Sequence, residues 1–102
     1  MRFDAVTVTV TTAGTRVALT TAGINATDKV LWARFKGRPN NTGTTYVGID
    51  DVSATNGFSL ENSDDVGLTL DLRGLGGRIL ASEVYCDAAT NGDRVECALI
   101  LE

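Results

Sequence analysis

Asp4-Ala5-Val6-Thr7-Val8-Thr9-Val10-Thr11 alternates without a break, with Val6, Val8 and Val10 pointing one way and Ala5, Thr7, Thr9 and Thr11 the other. Successive side chains leave a pleated backbone on opposite sides, so a period of two reads as a strand with one buried and one wet face. Valine and threonine suit that backbone because branching at Cβ already restricts their χ1. Ala13-Gly14-Thr15 supplies a turn, and residues 16–20 resume the pattern with Val17 and Leu19 on one side. The two segments are expected to pair as a hairpin.

The same period continues along the chain. After a polar loop at 21–28, residues 29–36 set Leu31, Ala33 and Phe35 against Val30, Trp32, Arg34 and Lys36. A loop at 37–43, which holds the only proline, Pro39, leads into a strand at 44–49. Further strands are expected at 58–60, at 68–72 with Leu68, Leu70 and Leu72 inward, at 78–85 and at 94–101. Ile79, Leu80 and Glu83 also suit a short helix, but strand is preferred because Asn91-Gly92 follows as a hairpin signal. The separators at 50–57, 61–67, 73–77 and 87–93 are rich in Gly, Asn and Asp. Turns roughly every 8 to 12 residues match a sandwich or barrel. The expectation is an all-β fold, a small antiparallel β-sandwich or barrel of about seven to eight strands, in a single domain over residues 1–102.

Composition narrows the function. Nine Lys plus Arg against thirteen Asp plus Glu give a net charge of −4. Such a chain has no basic field to condense on phosphates, so neither nucleic acid nor an anionic membrane is an expected partner. The start, Met1-Arg2-Phe3-Asp4, lacks the apolar run of a signal peptide, and no stretch approaches the ~18 apolar residues of a membrane span. A soluble, unexported chain is expected. With no histidine, the commonest general base and metal ligand is missing, and a Ser-His-Asp or Cys-His site has no base. At 102 residues a single core is small, which makes oligomerisation an expectation.

Two hairpins frame the candidate sites. With Asn91 and Gly92 as turn residues, Cys86 falls opposite Cys97, Val84 opposite Leu99 and Ala88 opposite Val95, on one apolar face. That register also opposes Asp87 to Glu96, a repulsive pair that calls for a longer loop or a wet face. Two readings of the cysteines stay open: a disulfide, because directly opposed residues lie within ~6 Å, and two small buried hydrophobes, which an unexported protein favours. A second hairpin, pairing Phe35 with Thr45 and Ala33 with Val47, gathers Leu31, Ala33, Phe35, Val47 and Ile49 on one face. Trp32, Arg34, Lys36, Thr44 and Tyr46 share the other, with Gly48 across from Trp32 to make room for the indole. Such a cluster is a candidate interface, since Trp, Tyr and Arg are the usual anchors. The alternative is a Trp32 buried within the monomer in a second packing layer.

No catalytic, cofactor or metal set stands out, and an enzyme is not expected. Asp50-Asp51 and Asp64-Asp65, with Glu61 nearby, read as solvated turn residues; neither pair matches a calcium loop. A glycosidase needs two carboxylates across a cleft, for which the chain has few lining aromatics. Arg73-Gly74-Leu75-Gly76-Gly77 fits neither phosphate-loop spacing and reads as a tight connection between strands. The sequons Asn25-Ala26-Thr27 and Asn40-Asn41-Thr42 carry no meaning without a secretory route.

The run Asn41-Thr42-Gly43-Thr44-Thr45-Tyr46-Val47-Gly48, then Val52, Asn56-Gly57-Phe58-Ser59-Leu60 and the leucine strand at 68–72, resembles small β-rich structural proteins of tailed bacteriophages. So do the opening valine-threonine strand, Ala13-Gly14-Thr15 and Val17-Ala18-Leu19, and the late Asn91-Gly92-Asp93 turn. The two cysteines and Gly74-Leu75-Gly76-Gly77 depart from that pattern. The resemblance implies a virion component without a cofactor, foremost a capsid decoration (cement) protein made in the host cytoplasm. It would sit on the capsid surface as a homo-oligomer, a trimer favoured, with the major capsid protein as partner. A head-fibre or tail attachment module binding a receptor or carbohydrate is the alternative, marked by an exposed aromatic row around Trp32 and Tyr46. A host-like β-sandwich binding module with no virion role is the third.

Overall fold

The valine-threonine alternation becomes strand β1 (Arg2–Thr9), with Val8 and Val10 buried and Ala5, Thr7 and Thr9 exposed, in a computed structural model that describes residues 2–60, 67–72 and 79–102. The remaining strands are β2 (Val17–Ala18), β3 (Lys29–Gly37), β4 (Thr45–Gly48), β5 (Phe58–Leu60), β6 (Leu68–Asp71), β7 (Ile79–Leu80), β8 (Tyr85–Ala88) and β9 (Arg94–Leu101). Nine strands among the described residues slightly exceed the expected number because two of them are two-residue pieces. They form two antiparallel sheets in a small β-sandwich: β1-β9-β3-β6, with β7 also on β3, and β2-β8-β4-β5. The core between them holds Leu19, Val30, Phe35, Val47, Leu60, Val95, Leu99 and Leu101. Burial of each such side chain is worth about 2 kcal/mol.

The strands stand close to where the alternation puts them, but their partners differ. Three expected hairpins, β1 with β2, β3 with β4 and β8 with β9, are crossovers between the sheets. β1 pairs β9, β2 pairs β8, β3 pairs β9, β6 and β7, and β4 pairs β5 and β8. Ala88 and Val95, expected side by side, instead meet the core from opposite sheets, and Val84, just before β8, reaches the same core as Leu99 in β9.

Polar groups at one end of the sandwich explain why these loops cross. The carboxylate of Asp93, 5% exposed, accepts the backbone N–H of Thr42 at 3.0 Å and of Gly43 at 2.9 Å. Asn41 brackets the next residue, its amide donating to the Arg94 carbonyl at 2.7 Å and its oxygen accepting the Arg94 N–H at 2.8 Å. Val10 N–H bonds the Asp93 carbonyl, and Gly92 N–H bonds that of Val10. Asn91 Oδ1 accepts the Ala13 N–H at 2.7 Å, and Asp87 Oδ1 accepts that of Gly14 at 3.0 Å. The three crossover loops thus satisfy one another's backbone donors, which tight two-residue turns would leave to water. Moving β8 and β9 apart also removes the Asp87–Glu96 repulsion that a hairpin would have imposed.

Two local features refine the reading. The stretch expected as a strand over 78–85 breaks after β7 into a 3-10 turn, Ala81–Glu83, whose Glu83 carboxylate accepts the Leu80 N–H at 3.2 Å. A second 3-10 turn, Leu19–Ala22, ends the segment expected as a strand over 16–20 and buries Leu19. Asp64-Asp65, Glu61 and the Arg73–Gly77 connection lie outside the described residues. Gly48 does leave room for a side chain, but the occupant is Val52, not Trp32: a Cβ there would sit 3.2 Å from the Val52 side chain. Gly48→Ala should therefore lower stability by about 1 kcal/mol, measured by urea unfolding. Gly67 is constrained further, with φ +64 and the Phe35 carbonyl where a Cβ would go.

Candidate interaction face

A β-bulge aims the outer face of the larger sheet. Val30 opposes Leu101 and Trp32 opposes Ile100, so Leu31 is the extra residue that shifts the register between them. Without it, Trp32, Arg34 and Lys36 would follow Val30 into the core. With it, Val30, Ala33 and Phe35 turn into the core, Leu31 is buried outside that core cluster, and Trp32, Arg34 and Lys36 turn outward. Val30, expected on the outer face, is 1% exposed.

Register then fixes rows across the outer face. Phe3, Ile100, Trp32 and Asp71 make one row. Ala5, Ala98, Arg34 and Thr69 make the next, and Thr7, Glu96 and Lys36 the third. The first row is apolar over three strands: Phe3 is 67% exposed, and Ile100 and Trp32 are half-buried. The small Ala5 and Ala98 floor a shallow depression walled by Thr7, Arg34, Lys36 and Glu96. Lys36 Nζ lies 3.8 Å from Glu96 Oε1, a half-exposed pair worth under ~1 kcal/mol. Beside Phe3, Arg2 is held by Asp28 at 2.9 Å and Asp4 at 3.6 Å. An aromatic strip bordered by paired charges has the composition of a protein-binding patch.

Thr44 and Tyr46 do not join this face. Because β3 and β4 belong to different sheets, Tyr46 projects from the other sheet, opposite Ser59 and Asp87, and is 9% exposed. The Thr44 carbonyl accepts the Ala89 N–H at 3.0 Å within the crossover loops. Ile49, expected in the core, is 62% exposed just beyond β4. Trp32 is half-buried on an outer face, which leaves it outside any second packing layer within the monomer. Phe3 and Ile100 were not singled out from the sequence. Extending the β1 alternation back two residues puts Phe3 on the threonine side, where an apolar ring is out of place.

Among the described residues no three His, Cys, Asp or Glu side chains are grouped to hold a metal ion. Asp50 and Asp51 are exposed turn residues. No family model matches the chain, and no curated protein or solved structure does so.

Proposed function

We propose that the chain is a structural component of a tailed-phage virion, a capsid decoration protein that binds the outside of the shell as a homo-oligomer and stabilises it. The reading rests on the sequence resemblance and on one feature of the structure: the Phe3–Ile100–Trp32 row on an open sheet face, with Phe3 67% exposed. Large apolar side chains on an otherwise charged surface mark interaction sites. The major capsid protein is the intended partner, and pressing this row against it removes the exposed ring from water.

The sheet edges support a homo-oligomer, and the resemblance favours a trimer. Among the described residues, β1 has a strand on one side only, and β5 and β6 end the two sheets on the opposite flank. Contact between unlike flanks is heterologous, and a rotation that closes it into a ring covers edges that otherwise invite aggregation. Repeated copies then add avidity on a lattice. No enzymatic step or cofactor enters this proposal, and neither nucleic acid nor membrane is a partner in it. The attachment-module alternative called for Trp32 and Tyr46 in one exposed row, and the two rings lie on different sheets.

Sedimentation of the purified chain, alone and mixed with expanded phage shells, tests the reading. Trimers that pellet with the shells are expected. A stable monomer that stays in the supernatant would sink it.

A further inference from the structure

Cys86 and Cys97 sit on strands of different sheets and meet in the core. Cys86 in β8 is flanked by Val17 and Val47, and Cys97 in β9 by Val6 and Phe35. Both are free thiols, 0% and 3% exposed, within one buried cluster. Within that cluster the neighbouring Cys86 side chain, followed by burial, raises the Cys97 thiol well above the ordinary range. Cys97 Sγ also donates to the Val95 carbonyl at 3.8 Å. The chain has no third cysteine to compete.

We propose that Cys86 and Cys97 are a latent inter-sheet disulfide site, a dithiol in reducing surroundings that closes by exchange with a low-molecular-weight disulfide such as oxidised glutathione. One cysteine, as thiolate, attacks the glutathione disulfide and releases one glutathione. The second, deprotonated, attacks the mixed disulfide at the protein sulfur and releases another. The protein loses two hydrogens and the reagent gains them. Thiolate is scarce while the sheets are closed, so exchange is slow in the folded chain and fast during refolding. The closed bond joins the sheets directly, where only packing and the connecting loops joined them before.

The inference rests on the core rather than the outer face, so it stands or falls apart from shell binding. The reduced, denatured chain is refolded with oxidised and reduced glutathione, then compared with the chain refolded in reductant alone. Loss of two hydrogens by intact mass is expected, with melting raised by roughly 10 °C or more. Cys97→Ala should gain no such rise from the oxidant. Two thiols still titratable in denaturant after oxidation, a stable glutathione adduct as the main product, or an oxidised chain that melts no higher would each overturn the proposal.

Discussion

Asp93→Ala is expected to lower the unfolding free energy by about 2–4 kcal/mol, because it leaves the Thr42 and Gly43 N–H groups without their acceptor at a nearly buried site, each at a cost of about 1–3 kcal/mol. Asp93 sits where the crossover between β8 and β9 touches the crossover between β3 and β4, and its own carbonyl receives Val10 at the end of β1. Asp93→Asn keeps one side-chain oxygen and should lose about half as much. Asn91→Ala removes one exposed contact, the Ala13 bond, and should cost about 1 kcal/mol or less. Chemical denaturation with an unchanged m-value checks the series. A loss below about 0.5 kcal/mol for Asp93→Ala would mean that packing alone directs the crossovers.

The second large effect concerns binding. Phe3→Ser should leave stability within about 0.5 kcal/mol of the parent, since two thirds of the ring is already in water at 67% exposure. It should nonetheless weaken shell binding by about 30-fold or more, the loss that removal of a buried aromatic anchor brings. Trp32→Ala should weaken binding as much, with some loss of stability because the indole is half-buried on its own sheet. In a trimer each substitution is present three times, so the measured loss on a lattice exceeds that of one contact. Tyr46→Phe lies on the other sheet and serves as the control, with unchanged binding. Equal binding by Phe3→Ser and the parent would move the contact surface away from this face.

Strand positions were legible because burial on one face imposes a period of two, which β1, β6 and β9 keep throughout and β3 keeps on either side of its bulge. Strand partners were not. A local pattern reports which side chains turn inward but not which sheet they turn inward from; Ala33 and Val47 face the same core whether paired or opposed. The decisive groups, Asn41, Asp87 and Asp93, read as ordinary loop polars, since their burial depends on loops distant in sequence. The Asp87–Glu96 opposition was the one local sign against the last hairpin. Trp32, Arg34 and Lys36 shared a face on alternation alone, and the Leu31 bulge turns that face outward in the structure. Thr44 and Tyr46 were attached to them only through the β3–β4 hairpin, and they separate with it.

Copy number in virions purified from the source of this sequence tests the proposed decoration role most directly. Quantitative mass spectrometry against the major capsid protein should find hundreds of copies per particle, in fixed ratio to the shell subunits. A handful of copies, or none, would contradict a decoration role.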